Sequence, residues 1–340
     1  MFSIYFFGLQ IVMNTIKGEE YMRKYTFIFA FIVVLATFLA GCTNKDDHTA
    51  KKNTGDQMKI YTTVYPLEYF TREIGGKYVD VSSIYPAGVD EHTFEPTQKD
   101  IINIADANLF YYIGYNLEGF VNNAKKTLKA ENVKMLAVGE QVHLDDLDNH
   151  ADTEDHSLED DDHNHGSIDP HLWIDPLYAK QMSTIIKDSL IAEMPEHKET
   201  FEANYKSLAE KLDHLNNEYK DMAAKSKNKE FLVSHAAFGY WEKRYNLEQI
   251  SVSGISTSDE PSQKSLEKLV NTTKKHHLKY ILVEQNVSNK LTDIIQKEAN
   301  LTSLPVHNLA NLTEQDIKKD RDYFTIANDN LQSLRKALND

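Results

Sequence analysis

One long helical pattern, with strand–helix alternation on both sides of it, restricts the fold of this chain more than any other feature. From Lys198 to Ala224, apolar residues recur at alternating spacings of four and three, which places them on one face of a helix. No glycine or proline interrupts the stretch, so the helix would extend about 40 Å. The apolar face consists of Phe201, Tyr205, Leu208, Leu212, Leu215, Tyr219 and Met222.

The segment before this helix predicts one α/β lobe, and the segment after it predicts another. In both segments strand patterns alternate with helical patterns, which indicates parallel sheets covered by helices on both faces. The predicted strands of the first lobe are Met58–Tyr65, Val79–Tyr85, Asn108–Ile113 and Lys134–Val138, and its predicted helices are Pro66–Gly75 and Asp100–Ala107. The predicted strands of the second lobe are Glu230–Ser234, Gln249–Val252, Tyr280–Glu284 and Ser303–Leu309, and its predicted helices are Ser262–His277 and Leu291–Ala299.

These patterns divide the body of the chain into three parts. We expect an N-terminal lobe over residues 58–175, linker helices over 176–226 and a C-terminal lobe over 227–340. The linker should begin at Pro176, with Asp175 as its N-cap. The predicted fold class is therefore α/β, with two lobes of mostly parallel sheet flanked by helices and joined by one long rigid helix.

The N-terminal region carries the pattern of an exported lipoprotein. A short positive segment, Met22–Lys24, precedes the apolar run Tyr25–Leu39, which is short for a membrane span. Ala40 and Gly41 then lead to Cys42, and this ending resembles the lipobox of bacterial lipoproteins. We expect a signal peptide over residues 22–42 and a diacylated Cys42. A plain transmembrane anchor is the alternative.

The residues on either side of this signal have simpler interpretations. Residues 43–57 are polar and suit a flexible tether from the lipid to the folded body. Residues 1–21 lie upstream of a complete signal pattern, so Met22 is the expected start residue, with an additional natural segment as the alternative. The expected location is the extracytoplasmic face of the cell membrane, anchored by lipid.

The cysteine count and the net charge exclude several kinds of site and partner. Cys42 is the only cysteine among 340 residues, which excludes a disulfide framework and a thiolate metal site. The formal net charge is −15, and the segment Asp145–His165 supplies ten of the negative charges. Because phosphate binding needs faces rich in Lys and Arg, this charge balance argues against nucleic acid as a partner.

The acidic segment Asp145–His165 is also rich in metal-binding side chains. Besides its carboxylates it holds four histidines, His150, His156, His163 and His165. Imidazole and carboxylate are donors that divalent first-row cations accept. The segment has few apolar residues, so we expect a mobile loop that collects metal ions. A solvated acidic linker is the alternative.

Four further ligand-type residues lie at or near the ends of predicted elements. His92 comes shortly after a strand, His235 and Glu284 end or directly follow strands, and His171 precedes the linker helix. Ligands of open α/β sheets sit at the carboxyl ends of strands, so we expect these side chains to converge. Three imidazoles and one carboxylate can close a tetrahedral zinc site. Taken singly, each histidine could instead be a surface residue, and Glu284 could cap a helix. His307 also follows a strand, so position after a strand does not by itself identify a ligand.

Five segments of the chain carry a family resemblance that covers the mature sequence. The chain resembles the cluster A-I substrate-binding lipoproteins of bacterial metal ABC importers, the ZnuA-like zinc binders. The segments are Gly88–Pro96, Asp169–Trp173, Ser234–Tyr240, Ile255–Ser262 and Val283–Gln285.

This resemblance implies a function as well as a two-lobe metal-binding fold. It implies that His92, His171, His235 and Glu284 bind one transported Zn²⁺ ion in the cleft between the lobes, with water as the alternative to Glu284. It also implies an acidic, His-rich loop before the second ligand, where further ions bind weakly. The implied partner is the membrane permease of an ABC transporter, and the implied state is a monomer without enzymatic activity.

The sequence leaves three alternatives to a zinc-carrying protein. A manganese- or iron-binding member of the same family is one alternative, but Mn²⁺ favours more oxygen ligands than three imidazoles leave. A surface zinc hydrolase is a second alternative, although the chain has no His-Glu-x-x-His motif. An adhesin or structural lipoprotein is a third. The three histidines must be neutral to bind a metal, so zinc binding is expected to weaken below about pH 6.

Overall fold

The computed structural model describes residues 57–144, 168–259, 261–285 and 290–340. These residues belong to one compact unit, Gly55–Asp340. The predicted signal peptide, Cys42, nearly all of the tether and the whole acidic loop over 145–165 lie outside the described residues. Within the described residues, no helix is long and apolar enough to cross a membrane.

The N-terminal lobe contains a parallel four-stranded sheet in the order β2-β1-β3-β4. Its strands are β1 (Met58–Thr62), β2 (Val79–Ser83), β3 (Leu109–Tyr112) and β4 (Lys134–Ala137), and its helices are α1 (Tyr65–Gly75), α2 (Gln98–Ala105) and α3 (Val121–Thr127). The strands end earlier than predicted because apolar residues beyond them, Val64, Ile84 and Ile113, are buried in loops. Helix α3 was not predicted.

The linker consists of two helices, α4 (Pro176–Glu193) and α5 (Lys198–Lys225). The Asp175 side chain accepts hydrogen bonds from two backbone N–H groups of the first turn of α4, which confirms the predicted N-cap. Helix α5 buries its predicted apolar face, with Tyr205 only partly buried. Helices α4 and α5 pack along each other and against α1. The linker is therefore a packed pair of helices and not one isolated helix.

The C-terminal lobe repeats the strand order of the first lobe as β6-β5-β7-β8, again parallel. Its strands are β5 (Glu230–His235), β6 (Glu248–Ser253), β7 (Tyr280–Glu284) and β8 (Thr302–Val306). Its helices are α6 (Gly239–Tyr245), α7 (Gln263–Lys275), α8 (Lys290–Glu298), α9 (Glu314–Lys318) and α10 (Tyr323–Asn339). The two-lobe α/β architecture predicted from the sequence is confirmed, while α6, α9 and α10 were not predicted.

A segment of the C-terminal lobe also ties the lobes together. Residues 307–312, which we call the inter-lobe strap, follow β8 and form hydrogen bonds with the N-terminal lobe. The backbone N–H of Tyr65 donates to the carbonyl of Ala310 at 2.7 Å. The indole N–H of Trp173 donates to the carbonyl of Asn308 at 2.6 Å. One buried apolar cluster runs through both lobes and the linker, so hinge opening between the lobes would expose core.

Candidate metal centre

Three histidines from separate parts of the chain meet where the two lobes face each other. His92 lies in the loop between β2 and α2, His171 precedes the short 3-10 turn Leu172–Ile174, and His235 is the last residue of β5. One ring nitrogen of each lies within 4.8 Å of the other two. Sequence reasoning had named all three, and the carboxyl end of β5 supplies one of them, as expected for a parallel sheet.

The spacing of the imidazoles suits a small divalent cation. The Nε2 atoms of His92 and His171 are 3.2 Å apart. The ring centroids of the three histidines are 5.1 to 5.3 Å apart, and each pair of rings is tilted edge to face. A tetrahedral zinc ion with Zn–N distances of 2.0–2.1 Å would hold two nitrogens about 3.3 Å apart. The pair His92–His171 therefore already has the separation of two ligands on one ion.

The orientation of His171 is set by a neighbouring carboxylate. Its Nδ1 lies 2.7 Å from Oδ1 of Asp169, which also accepts the backbone N–H of His171 at 3.0 Å. An Nδ1–H that donates to a carboxylate leaves Nε2 with a lone pair aimed at the site. A Cβ at Gly239 would approach Oδ2 of Asp169 to 3.0 Å, so glycine leaves room for this carboxylate. The hydroxyl of Tyr240 donates to the Asp169 carbonyl at 2.6 Å and fixes the turn.

His235 has an acceptor at each ring nitrogen. Its Nδ1 lies 3.2 Å from Oε1 of Glu284, and its Nε2 lies 2.7 Å from the carbonyl oxygen of Ile255. Burial lowers the pKa of His235, but the hydrogen bond and charge of Glu284, with the Ile255 carbonyl, raise it to about 9. At neutral pH His235 is therefore an imidazolium, and a metal that binds it must displace a proton and one of the two acceptors. This changes the expectation that zinc binding weakens only below about pH 6.

Glu284 is the last residue of β7, beside His235, and is 4% exposed. The hydroxyl of Ser234 also lies near its Oε1, at 3.4 Å. Its other oxygen, Oε2, is buried without a hydrogen-bond partner among the described residues. A buried carboxylate oxygen without a partner is costly, so the site favours a cation beside it. Glu284 is not a member of the three-histidine group, and its assignment as fourth ligand stays a prediction.

Glu91 is a second buried carboxylate beside the histidines, and sequence reasoning missed it. It is 4% exposed, and its Oε1 lies 3.9 Å from Nε2 of His92. The side-chain amide of Asn308, in the strap, donates to that oxygen at 2.7 Å. Burial and then the charge of Glu284 raise the pKa of Glu91 to about 8. Glu91 directly precedes His92 in the sequence, which could have indicated a role in the site. Carboxylates in such acidic segments are commonly exposed, however, so the sequence did not single out Glu91.

The structure places the other described histidines away from this centre. His307 is buried, with Nδ1 accepting the N–H of Leu309 at 2.8 Å and Nε2 3.5 Å from Oδ2 of Asp316. His197 stacks on Tyr78 with ring centroids 3.7 Å apart. Among the described residues, the three-histidine cluster is the one group of metal-binding side chains close enough to hold an ion. The loop histidines His150, His156, His163 and His165 lie outside the described residues.

A family model and several known proteins match this chain. The family model for the zinc-uptake complex component A, periplasmic (ZnuA), matches residues 60–337. The zinc-binding protein AdcA of Streptococcus pyogenes serotype M3 is 37% identical over 289 residues, which cover 82% of this chain and 56% of AdcA. The chain thus spans little more than half of that relative's length.

Two further comparisons cover their counterparts almost completely. The high-affinity zinc uptake system protein ZnuA of Bacillus subtilis is 32% identical over 318 residues, which cover 93% of this chain and 98% of that protein. Among solved structures, the Zn(II)-bound ZnuA-like domain of Streptococcus pneumoniae AdcA aligns with a TM-score of 0.69 and 32% identity, over 84% of this chain and 100% of that domain. The residues matched by the family model, 60–337, include both lobes and the three histidines.

Proposed function

Because the chain belongs to the family of the zinc-uptake complex component A, we propose that it captures Zn²⁺ outside the cytoplasm and delivers it to the membrane permease of an ABC importer. The observation that carries this proposal is the convergence of His92, His171 and His235 on one point between the lobes. Relatives named zinc-binding protein and zinc uptake protein support the same cargo. The family is a transport component, and we propose that the chain is a carrier and not an enzyme.

We propose that the three histidines bind zinc directly and that Glu284 supplies the fourth ligand. The buried Oε2 of Glu284, with no partner among the described residues, supports this role. Three imidazoles favour Zn²⁺ over Mn²⁺ or Fe²⁺, because the latter two bind better where oxygen ligands dominate. The carboxyl group of Glu91 is buried beside His92 and is not a member of the predicted ligand set.

The N-terminal part of the proposal concerns attachment to the membrane. We propose that Cys42 is diacylated and that residues 43–57 tether the folded body to the outer face of the cell membrane. A relative named zinc-binding lipoprotein AdcA, from Streptococcus pneumoniae, supports this arrangement. We also propose that the chain acts as a monomer, because one chain contributes all three histidines of the site.

Zinc-limited growth tests the transport function. Cells that lack this protein should regain growth in chelator-treated medium when they receive the wild-type chain, and should not when they receive His171→Ala. His214→Ala is the matched control, because His214 is an exposed histidine on α5 that pairs with Glu218 and does not belong to the three-histidine cluster. Full rescue by His171→Ala would contradict the proposal that this site carries the imported zinc.

Deleting residues 145–165 is expected to slow zinc uptake when zinc is scarce and to leave the affinity of the three-histidine site nearly unchanged. The physical reason is that an acidic, His-rich segment raises the local zinc concentration, while the three histidines proposed to bind the ion, His92, His171 and His235, lie outside that segment. Uptake of radioactive zinc and calorimetric titration measure the two effects separately. A full-length variant with glutamine at positions 150, 156, 163 and 165 is the control for loop length. An equal loss of calorimetric affinity would contradict this division of labour.

A further inference from the structure

One short loop contacts His235 in the C-terminal lobe and Asp90, beside His92, in the N-terminal lobe. Residues Gly254–Asp259, which we call the site loop, directly follow β6 in the C-terminal lobe. Within it, the carbonyl oxygen of Ile255 lies 2.7 Å from Nε2 of His235. The Thr257 hydroxyl donates to Oδ2 of Asp90 at 2.6 Å, across to the N-terminal lobe. The site loop therefore closes over the gap between the two lobes at the three-histidine centre.

Asp90, the hydrogen-bond partner of Thr257, also supports the predicted ligand His92. Oδ1 of Asp90 accepts the backbone N–H of His92 at 2.9 Å, while Oδ2 accepts the Thr257 hydroxyl. One carboxylate thus joins the site loop to the loop that carries His92. Breaking the Thr257 bond separates these two loops without removing the support of His92.

The loop that carries His92 is fixed to the C-terminal lobe by other bonds. The backbone N–H of Gly88 donates to the carbonyl of Leu312 at 3.0 Å, and the Asn308 amide donates to Glu91 at 2.7 Å. Leu312 and Asn308 both lie in the inter-lobe strap, and four residues of this strap are 4% exposed or less. Movement of the His92 loop, or of one lobe against the other, would break buried hydrogen bonds and expose core.

The site loop, in contrast, is a small unit that is weakly attached. None of its residues is buried. Its bonds are mostly internal: the N–H of Asp259 donates to the carbonyl of Ser256 at 3.0 Å, and the N–H of Ser256 donates to Oδ2 of Asp259 at 3.1 Å. A Cβ at Gly254 would meet the Asp259 side chain at 2.9 Å, so glycine allows this compact turn. Segments with few buried contacts open at low free-energy cost.

The loop also competes with a metal ion for His235. A ring nitrogen that donates its hydrogen to a carbonyl has no lone pair for a metal. If the ion binds Nε2 of His235, the Ile255 carbonyl must move away first. We propose, on the basis of the proposed zinc-binding function, that the site loop is the part that opens to admit and release the ion. The Thr257–Asp90 hydrogen bond is the latch that holds the loop closed, both in the metal-free protein and again after the ion has entered.

Removing the latch should speed metal exchange. A hydrogen bond to a charged group contributes enough free energy that its loss should make opening about tenfold more frequent. Zinc release, measured by stopped-flow mixing of zinc-loaded protein with excess chelator, should therefore be about tenfold faster for Thr257→Val than for the wild type. Valine keeps the branched shape of threonine and removes only the hydroxyl.

Two variants separate the latch from a general disturbance of the loop. Thr257→Ser keeps the hydroxyl and should release zinc at close to the wild-type rate. Ser258→Ala removes a hydroxyl that bonds only within the loop, to Ser256, and should also release zinc at close to the wild-type rate. Hydrogen–deuterium exchange on the metal-free proteins should show faster exchange over residues 255–259 in Thr257→Val alone.

The outcomes distinguish this inference from the proposed function. Wild-type protein that binds one zinc, with Thr257→Val releasing it at the wild-type rate, would overturn the latch and leave the zinc-binding function intact. The same increase in all three variants would also overturn the latch, because any change in the loop would then suffice. Wild-type protein that binds no zinc at the three histidines would overturn both.

Discussion

Replacing His171 with alanine is expected to weaken zinc binding at the cleft by about 10²–10³-fold. Structural zinc sites with four ligands bind with roughly 10–16 kcal/mol, so one ligand accounts for about 2.5–4 kcal/mol. His171 is fully buried, and Asp169 fixes its ring with Nε2 toward the other histidines, so its loss removes a ligand that is already in position. Competition titration against a chelator of known affinity measures the loss.

The matched control is His214→Ala on the exposed face of α5, which should bind zinc as the wild type does. Asp169→Asn should cause an intermediate loss of zinc affinity, because it keeps His171 as a ligand but weakens the hydrogen bond that orients its ring. Loss of such a supporting carboxylate typically costs 10–100-fold in metal affinity. The prediction fails if His171→Ala and His214→Ala bind zinc equally well.

Zinc binding is expected to release a proton from His235 at neutral pH. The pKa of His235 is raised to about 9 by Glu284 and the Ile255 carbonyl against the effect of burial, so the free protein holds this proton below that pH. The metal-bound ring must give the proton up. Zinc affinity should therefore fall about tenfold for each pH unit below 9. This decrease begins at a higher pH than it would if His235 had the pKa of an ordinary imidazole.

His92 should not add to this dependence near neutrality. Burial, followed by the charges of His171 and His235, lowers the pKa of His92 to about 2, so its ring is already neutral. Glu91, with a pKa raised to about 8, would add a second released proton if the bound ion makes it ionise. Calorimetric titrations at pH 7 in buffers of different ionisation enthalpy count the protons released.

Glu284→Gln is the informative variant for the proton count. It removes the charge that raises the pKa of His235, so fewer protons should be released at pH 7 even if affinity also changes. Binding enthalpies that are the same in all buffers, with affinity constant between pH 7 and 8, would contradict the proton-linked role of His235.

The fold could be predicted from the sequence to the extent that apolar periodicity reports burial. The long helix α5 was predicted to within one residue, because its apolar stripe is long and uninterrupted. Strand ends were overextended because Val64, Ile84 and Ile113 are buried in loops, and periodicity does not separate a buried loop residue from a paired one. Helix α10 was missed although Asp322 caps it and its buried residues recur at helical spacing.

The candidate site was predictable in its imidazoles and less so in its surroundings. The rule that ligands follow strand ends pointed to His92 and His235, and the family resemblance ranked them above His307, which also follows a strand. The bonds that determine their chemistry join residues far apart in the chain. The contacts of Glu91 with Asn308 and of Thr257 with Asp90 have no local sequence pattern, so only the tertiary structure reveals them.

The central claim is that side chains from both lobes bind one ion between them, and zinc-edge X-ray absorption tests it most directly. The sample is the zinc-loaded protein without residues 145–165, so that the acidic loop cannot contribute ligands. We expect one zinc per chain with three imidazole nitrogens and one oxygen at about 2.0–2.2 Å. A coordination sphere dominated by oxygen, or with fewer than three imidazoles, would contradict it.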